Sequence, residues 1–233
     1  MQEFFTGVGN ILIYYVVCAS AELLLRLLTK IPDEPFRKLL HMILITSSLV
    51  FAVSFNTWWY ASVFSLIFAA LVYPILMGLE HIKSYSKTLT ERKSGELKSS
   101  LLVVFTMFAF VFSVCWGLVG DRLLAVASIY AWGIGDAAAA LVGKKFGKHK
   151  IPNSKKSFEG SLSMFVSSFV SVLVVLLIRG GMEWYAYLTV SLAVAAMATL
   201  TELYTTGGFD TVTCPVAAMA VMLPLIHLFG GGI

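Results

Sequence analysis

The chain has 233 residues, of which 58% are hydrophobic and 13% charged, with a formal net charge of +4. Soluble domains carry about 25% charged residues. Half that charge on so apolar a chain excludes a disordered protein, argues against a soluble globule, and gives no sign of a nucleic-acid partner.

The opening MQEFFTGVGN has neither a basic n-region nor an Arg-rich amphipathic pattern, and reads as the exposed beginning of the mature protein rather than a cleaved leader. A bilayer-crossing helix needs about 20 mostly apolar residues. Apolar runs divided by polar punctuation predict spans at roughly 8–29, 39–55, 57–78, 100–119, 122–143, 160–178, 183–203 and 212–230. The fold class is therefore all-α: a polytopic integral membrane protein of about eight transmembrane helices, forming one domain over residues 1–233. The second and third spans are joined by SFNT (54–57), which predicts a tight hairpin. The longest polar segments, 79–99 and 144–159, are loops or short interfacial helices. Cys18, Cys115 and Cys214 sit in or beside apolar runs without Cys-x-x-Cys or Cys/His spacing, so neither a disulfide framework nor a zinc site is expected.

Charge placement orients these spans. Of the 17 Lys and Arg residues, 15 fall in the first, third and fifth connections, and only Arg122 and Arg179 fall on the other side. The positive-inside rule then puts the odd connections in the cytoplasm and both termini on the opposite side. A wrong span count would scramble this division. Glu22, Asp33, Glu34, Glu80, Glu91, Glu96, Glu159, Glu202 and Asp210 all fall toward the cytoplasmic half, and Asp136 lies inside the fifth span. Carboxylates at membrane depth are costly unless paired or lining a wet cavity, and mark a working site.

The most informative stretch is GDAAAALVGKKFGKHKIPNSKKSFEGS, residues 135–161. Asp136, Ala140 and Gly143 share a helix face. Gly135, Ala139 and Gly143 form a small-xxx-small ridge that lets a second helix approach closely. Six lysines follow, Lys144, Lys145, Lys148, Lys150, Lys155 and Lys156, and then Ser157 as an N-cap, with Glu159 and Gly160 in the first turn of the next span. Free N–H groups and the positive dipole end of that helix suit phosphate. A carboxylate such as Asp136 or Glu159 suits Mg²⁺ held between phosphate oxygens. Together they point to a polyphosphate at the inner membrane face.

Three further clusters and one i, i+4 pair belong to the same side. In PDEPFRKLLH (32–41), Arg37 and His41 share a face beside Lys38, and Asp33 is placed to pair with Arg37. Glu22 and Arg26 have the spacing of a mutual pair that snorkels to the interface. In ERKSGELKSS (91–100), Arg92 and Glu96 are i, i+4. In TELYTTGGFDTVTCP (201–215), Glu202 ends a span, Gly207 and Gly208 permit a tight turn, and Asp210 opens the last span. No P-loop, protein-kinase signature, His-Glu-x-x-His or Gly-x-Ser-x-Gly motif is present, so a nucleotide would need a different, membrane-embedded site.

These four motifs, in this order, resemble the CTP-dependent lipid kinases, a family of dolichol, phytol, farnesol and diacylglycerol kinases. RKLLH (37–41) matches the early Arg-Lys-x-x-His, R-x-x-G-E (92–96) the middle-loop motif, residues 135–161 the nucleotide-binding region, and 202–215 the late Glu…Asp-Asn…Pro element. Thr211 departs from the pattern, standing where the family often has Asn. The resemblance implies CTP as phosphate donor, Mg²⁺ or another divalent cation, and a membrane lipid alcohol (polyprenol, phytol or diacylglycerol) as acceptor. It implies an enzyme of the cell membrane or endoplasmic reticulum, working from the cytoplasmic leaflet. Phosphate and nucleotide contacts fall to Lys144, Lys148, Lys155 and Lys156, with Arg37, Lys38, His41, Arg92, Gly143, Ser157, Glu159 and Gly160. Asp136, with Glu159 or Asp210, would hold the metal, and Asp210 or Glu202 would position or deprotonate the alcohol. The central stretch is also similar to phosphatidate cytidylyltransferase, whose C-terminal signature is missing here. A secondary carrier is a third reading, although no paired internal repeat appears. The acceptor lipid and the oligomeric state stay open.

Overall fold

Long apolar runs have only one way to satisfy their backbone in hydrocarbon without a closed barrel, which is to coil into helices. The computed structural model describes residues 1–79, 95–152, 154, 156–205 and 207–229, with backbone alone at 79 and 96. Among them are eight helices long and apolar enough to cross a membrane. They are α1 (Gln2–Leu28), α2 (Asp33–Ser54), α3 (Trp58–Leu79), α4 (Glu96–Val111), α5 (Arg122–Phe146), α6 (Phe158–Arg179), α7 (Trp184–Tyr204) and α8 (Asp210–Leu228). A π-helical stretch, Phe112–Leu118, extends α4.

The helix order is the expected one, but several ends lie further out. α1 starts at Gln2 rather than near residue 8, and α2 at Asp33 rather than 39. α5 runs to Phe146 and so takes in Lys144 and Lys145. These extra turns are polar, and helix-dipole chemistry explains them: acids favour a first turn and cations a last one.

The chain forms two compact units, 1–113 and 114–233. In the first, α1 lies along α2. The Tyr14 hydroxyl donates to the Ile43 carbonyl at 2.7 Å and lies 2.6 Å from the Thr46 hydroxyl. The Tyr15 hydroxyl donates to Ser47 Oγ at 2.7 Å. The turn between α2 and α3 is the tight hairpin expected at 54–57. Its Asn56 and Thr57 N–H groups donate to Glu3 Oε1 at 2.8 and 3.1 Å. The core is aromatic. Phe51 lies among Phe55, Phe64, Phe105, Phe108 and Phe112 at centroid separations of 5.8–6.4 Å, where such pairs add about 0.5–1.5 kcal/mol beyond burial.

In the second unit α5 is the most deeply buried span, and α6, α7 and α8 all pack on it. The ridge predicted at Gly135, Ala139 and Gly143 meets α6. A Cβ at Gly160 would sit 3.1 Å from the Ala139 carbonyl oxygen and 3.3 Å from Gly143 Cα, so glycine there lets the two backbones touch. Ser168 Oγ donates to the Ala131 carbonyl at 2.5 Å in the same seam. At the far end of the pair, Asp121 caps α5 by accepting from Leu123 N at 2.9 Å, and it also binds Arg179 at the end of α6.

Candidate active site

The site lies in the second unit, at the end of α5 where the Lys-rich connection leaves. That connection folds back on itself. Ile151 N–H donates to the Lys156 carbonyl and Phe158 N–H to the His149 carbonyl, both at 3.0 Å. Ser157 is the N-cap of α6, as its position in KKSFEGS predicted, and its Oγ accepts from Gly160 N at 3.2 Å. Of the N–H groups at this helix start, those of Phe158 and Gly160 are thus satisfied within the loop. What the α6 terminus keeps is its dipole.

Lys156 links this loop to the end of α7. Its ammonium lies 2.9 Å from Glu202 Oε1 and donates to the backbone carbonyls of Glu202 and, at 3.3 Å, of Thr205. The last carbonyls of a helix lack partners inside it, so a cation here satisfies them and neutralises the carboxylate together. Glu202 is 8% exposed, and this pairing makes its burial tolerable. The chain then reverses through Gly207 and Gly208, whose φ of 74° and 85° lie in the left-handed region that glycine favours. The turn delivers Asp210 as the first residue of α8. Asp210 Oδ2 accepts from Trp132 Nε1 at 3.3 Å. Trp132 is one turn from Asp136 on the same face of α5. The Asp136 and Asp210 carboxylates are both within electrostatic reach of Glu202. Two contacts, Lys156 with Glu202 and Trp132 with Asp210, thus lie at this end of the unit, with Asp136 in electrostatic range of Glu202.

Not every expected residue joins them. Glu159 turns to the loop, where its Oε1 lies 2.7 Å from His149 Nδ1 and its carboxylate accepts from His149 N–H at 3.2–3.3 Å. Lys144 and Lys148 are exposed at the mouth of the connection. Lys155 and Arg92 lie outside the described residues. Arg37, Lys38 and His41 lie on α2 in the first unit, and two expected pairings there are corrected. Arg37 meets Glu34 at 2.5 Å, whereas Asp33 meets Arg26 at 2.7 Å. Arg26 also donates to the Ile31 carbonyl and lies over the Phe36 ring, so it does not pair with Glu22. The short α1–α2 connection folds Asp33 back onto Arg26, which leaves Glu34 as the acid on Arg37's side.

Asp136 and Asp210 are of the chemical type that suits Mg²⁺, although among the described residues no three His, Cys, Asp or Glu side chains lie close enough together to hold a metal ion. That ion takes hard oxygens, keeps several waters, and is held by one or two carboxylates plus substrate phosphates. Asp136, Glu202 and Asp210 provide such oxygens. Trp132, Thr205 and His149 were not anticipated. Only Trp132 carried a signal, as an indole donor one turn from an intramembrane Asp.

Comparison with known proteins adds an independent line. No protein-family model matches the chain, and no solved structure matches it significantly. It is 30% identical over 218 residues to a phytol kinase of Synechocystis sp., covering 88% of this chain and 84% of that one. It is 30% identical over 157 residues to a probable chloroplastic phytol kinase of Triticum aestivum, covering 62% of this chain and 50% of that one. Against the dolichol kinase of Homo sapiens it is 28% identical over 102 residues, which is 43% of this chain and 19% of that one. With a phytol kinase 30% identical and matched over most of both chains, the chain belongs to the lipid-kinase family that includes phytol kinase and dolichol kinase.

Proposed function

We propose that this protein transfers the γ-phosphate of CTP to the hydroxyl of a membrane lipid alcohol of the prenol or diacylglycerol class, working from the cytoplasmic leaflet. Family membership supports a kinase acting on a lipid alcohol. The four motifs matching the CTP-dependent members support the choice of nucleotide, and the one-sided lysines support the leaflet. The observation that carries the reading is the meeting of Lys156 and Glu202 with Asp136 and Asp210 in electrostatic reach.

Phosphoryl transfer is mostly positioning and charge neutralisation. Lys144 and Lys148, exposed beside the α6 dipole, take the phosphates. Asp136 and Asp210 are the residues to hold Mg²⁺, which when bound neutralises phosphate charge. Trp132 fixes one oxygen of Asp210. Lys156 is a positioning residue that holds Glu202 in place, and Glu159 shapes the loop through His149. The alcohol oxygen attacks the γ-phosphorus, the bond to the CDP oxygen breaks, and the hydroxyl proton passes to Glu202.

The test is a mixed-lipid assay with purified protein in vesicles. CTP or ATP carries label in the γ-phosphate, phytol, a dolichol and diacylglycerol are the acceptors, and products are separated by thin-layer chromatography. Labelled phosphoprenol or phosphatidate from CTP is the expected result. Pyrophosphate with a CDP-lipid would make the protein a cytidylyltransferase. Solute uptake without nucleotide would make it a carrier.

A further inference from the structure

The first unit contains a carboxyl group for which the phosphate site has no use. Glu22 lies within α1, is 5% exposed, and has both side-chain oxygens buried without a hydrogen-bond partner among the described residues. Its neighbour one turn on, Arg26, is turned to Asp33, the Ile31 carbonyl and Phe36. Position along the helix pair locates it further. Tyr15 meets Ser47 on one side of it in sequence and Arg26 meets Phe36 on the other, so Glu22 falls between these two rungs, against α2. Elsewhere α1 is open to its surroundings, through Leu12, Ile13, Val16, Val17, Leu24 and Leu28 among others. A lone buried carboxyl in a membrane span is unfavourable, and such groups persist where they do something.

A ligand that satisfies it must reach a hydrocarbon-facing helix and bring a hydrogen-bond donor. A cation would need more oxygens than Glu22 offers. A lipid alcohol meets both conditions, because its tail shares the bilayer with α1 and its hydroxyl finds no water there to accept its proton. We infer that Glu22 forms a lipid-alcohol binding site within the first unit, accepting a hydrogen bond from the hydroxyl of a bilayer lipid alcohol, which rests on the lipid-alcohol reading above. Glu22 is then a binding residue for a lipid alcohol in the first unit, distinct from the acids that handle phosphate in the second.

The experiment is photolabelling of the full chain in vesicles with a diazirine analogue of geranylgeraniol and with the methyl ether of that analogue. CTP binding is followed in parallel. The alcohol should label the wild-type protein at least about tenfold more than the ether does. Glu22→Leu should lower labelling by at least about tenfold without changing CTP binding. Glu22→Gln keeps an acceptor oxygen and should stay within about threefold of wild type. Should Glu22→Leu fail to fold, Glu22→Met decides by the same threshold. Labelling of the apolar variant within about twofold of wild type, or equal labelling by alcohol and ether, overturns the inference. Glu22-dependent labelling without phosphate transfer from CTP would sink the kinase reading and keep this one. Phosphate transfer with undiminished labelling of Glu22→Leu would do the reverse.

Discussion

The two units hold themselves together by different means. In the second, ion pairs join elements distant in sequence, Lys156 to Glu202 and Arg179 to Asp121, and a His149–Glu159 hydrogen bond closes the folded loop. Helices α5 and α6 touch through glycine and serine. In the first, Arg26 meets Asp33 and Arg37 meets Glu34 close by in sequence, and the long-range contacts are phenylalanine rings with a few hydrogen bonds, from Tyr14 and Tyr15 to α2 and from the α2–α3 turn to Glu3. Rings pack without demanding charge complementarity, so this unit can leave Glu22 without a partner. The second unit has to bring acids together, and small residues and lysine permit that. The difference separates a built polar site, whose members already support one another, from a carboxyl group that awaits a partner.

The comparison breaks first if the clustered acids are dispensable. Asp136→Asn keeps the size and removes the charge, and should reduce lipid phosphorylation by at least about 10²-fold. Circular dichroism and the melting temperature should stay close to wild type, because Asn has the same size and shape and the side chain is only half-buried. Gly160→Val acts on the seam itself. With 3.1 Å available between a Cβ and the Ala139 oxygen, the added isopropyl group must push α6 away from α5. Such overpacking costs roughly 1–3 kcal/mol, measurable as a loss of stability in detergent. A Gly160→Val protein as stable as wild type would mean that the seam does not need glycine.

Much of this was legible beforehand, for local reasons. Eight spans follow from apolar length alone, and the Gly135/Ala139/Gly143 ridge from helical periodicity. Ser157 and the Gly207–Gly208 turn follow from cap and turn chemistry. The helix ends were read short because a polar first or last turn does not register in an apolar run, although Asp33 and Lys144 are well placed for a helix dipole. The partners were hardest. Arg37 has acids at both i−3 and i−4, and the α1–α2 connection, not the spacing, decides between Glu34 and Asp33. Trp132 and Asp210 meet across 78 positions, and no local pattern ties them. Lys156 was expected among the phosphate contacts, and its bonds to the end of α7 appear only once the helices are assembled.

That reassignment of Lys156 can be tested on its own. Lys156→Met should cost about 1.5–3 kcal/mol of stability, the range for losing hydrogen bonds to a charged group. If Lys156 only positions Glu202, Lys156→Arg should restore stability and most of the turnover, and the KM for CTP should move little in either variant. A large rise in that KM, with stability unchanged, would return Lys156 to the phosphates.

The smallest effect belongs to Trp132. Trp132→Phe keeps a buried ring in the α5 core and deletes one N–H donor. The hydrogen bond it makes to Asp210 Oδ2 is 3.3 Å long, toward the weak end of the range. Its loss should cost about 0.5–1.5 kcal/mol, or about 2- to 12-fold in rate if that bond orients Asp210 for the reaction. An orienting role predicts that kcat falls while the melting temperature hardly moves, because the ring still fills its place. A purely structural role predicts the opposite split. If Asp210 holds Mg²⁺, raising the Mg²⁺ concentration should recover much of the lost rate in Trp132→Phe and none of it in Asp210→Asn. That contrast separates a carboxylate that has lost its orientation from one that has lost its charge.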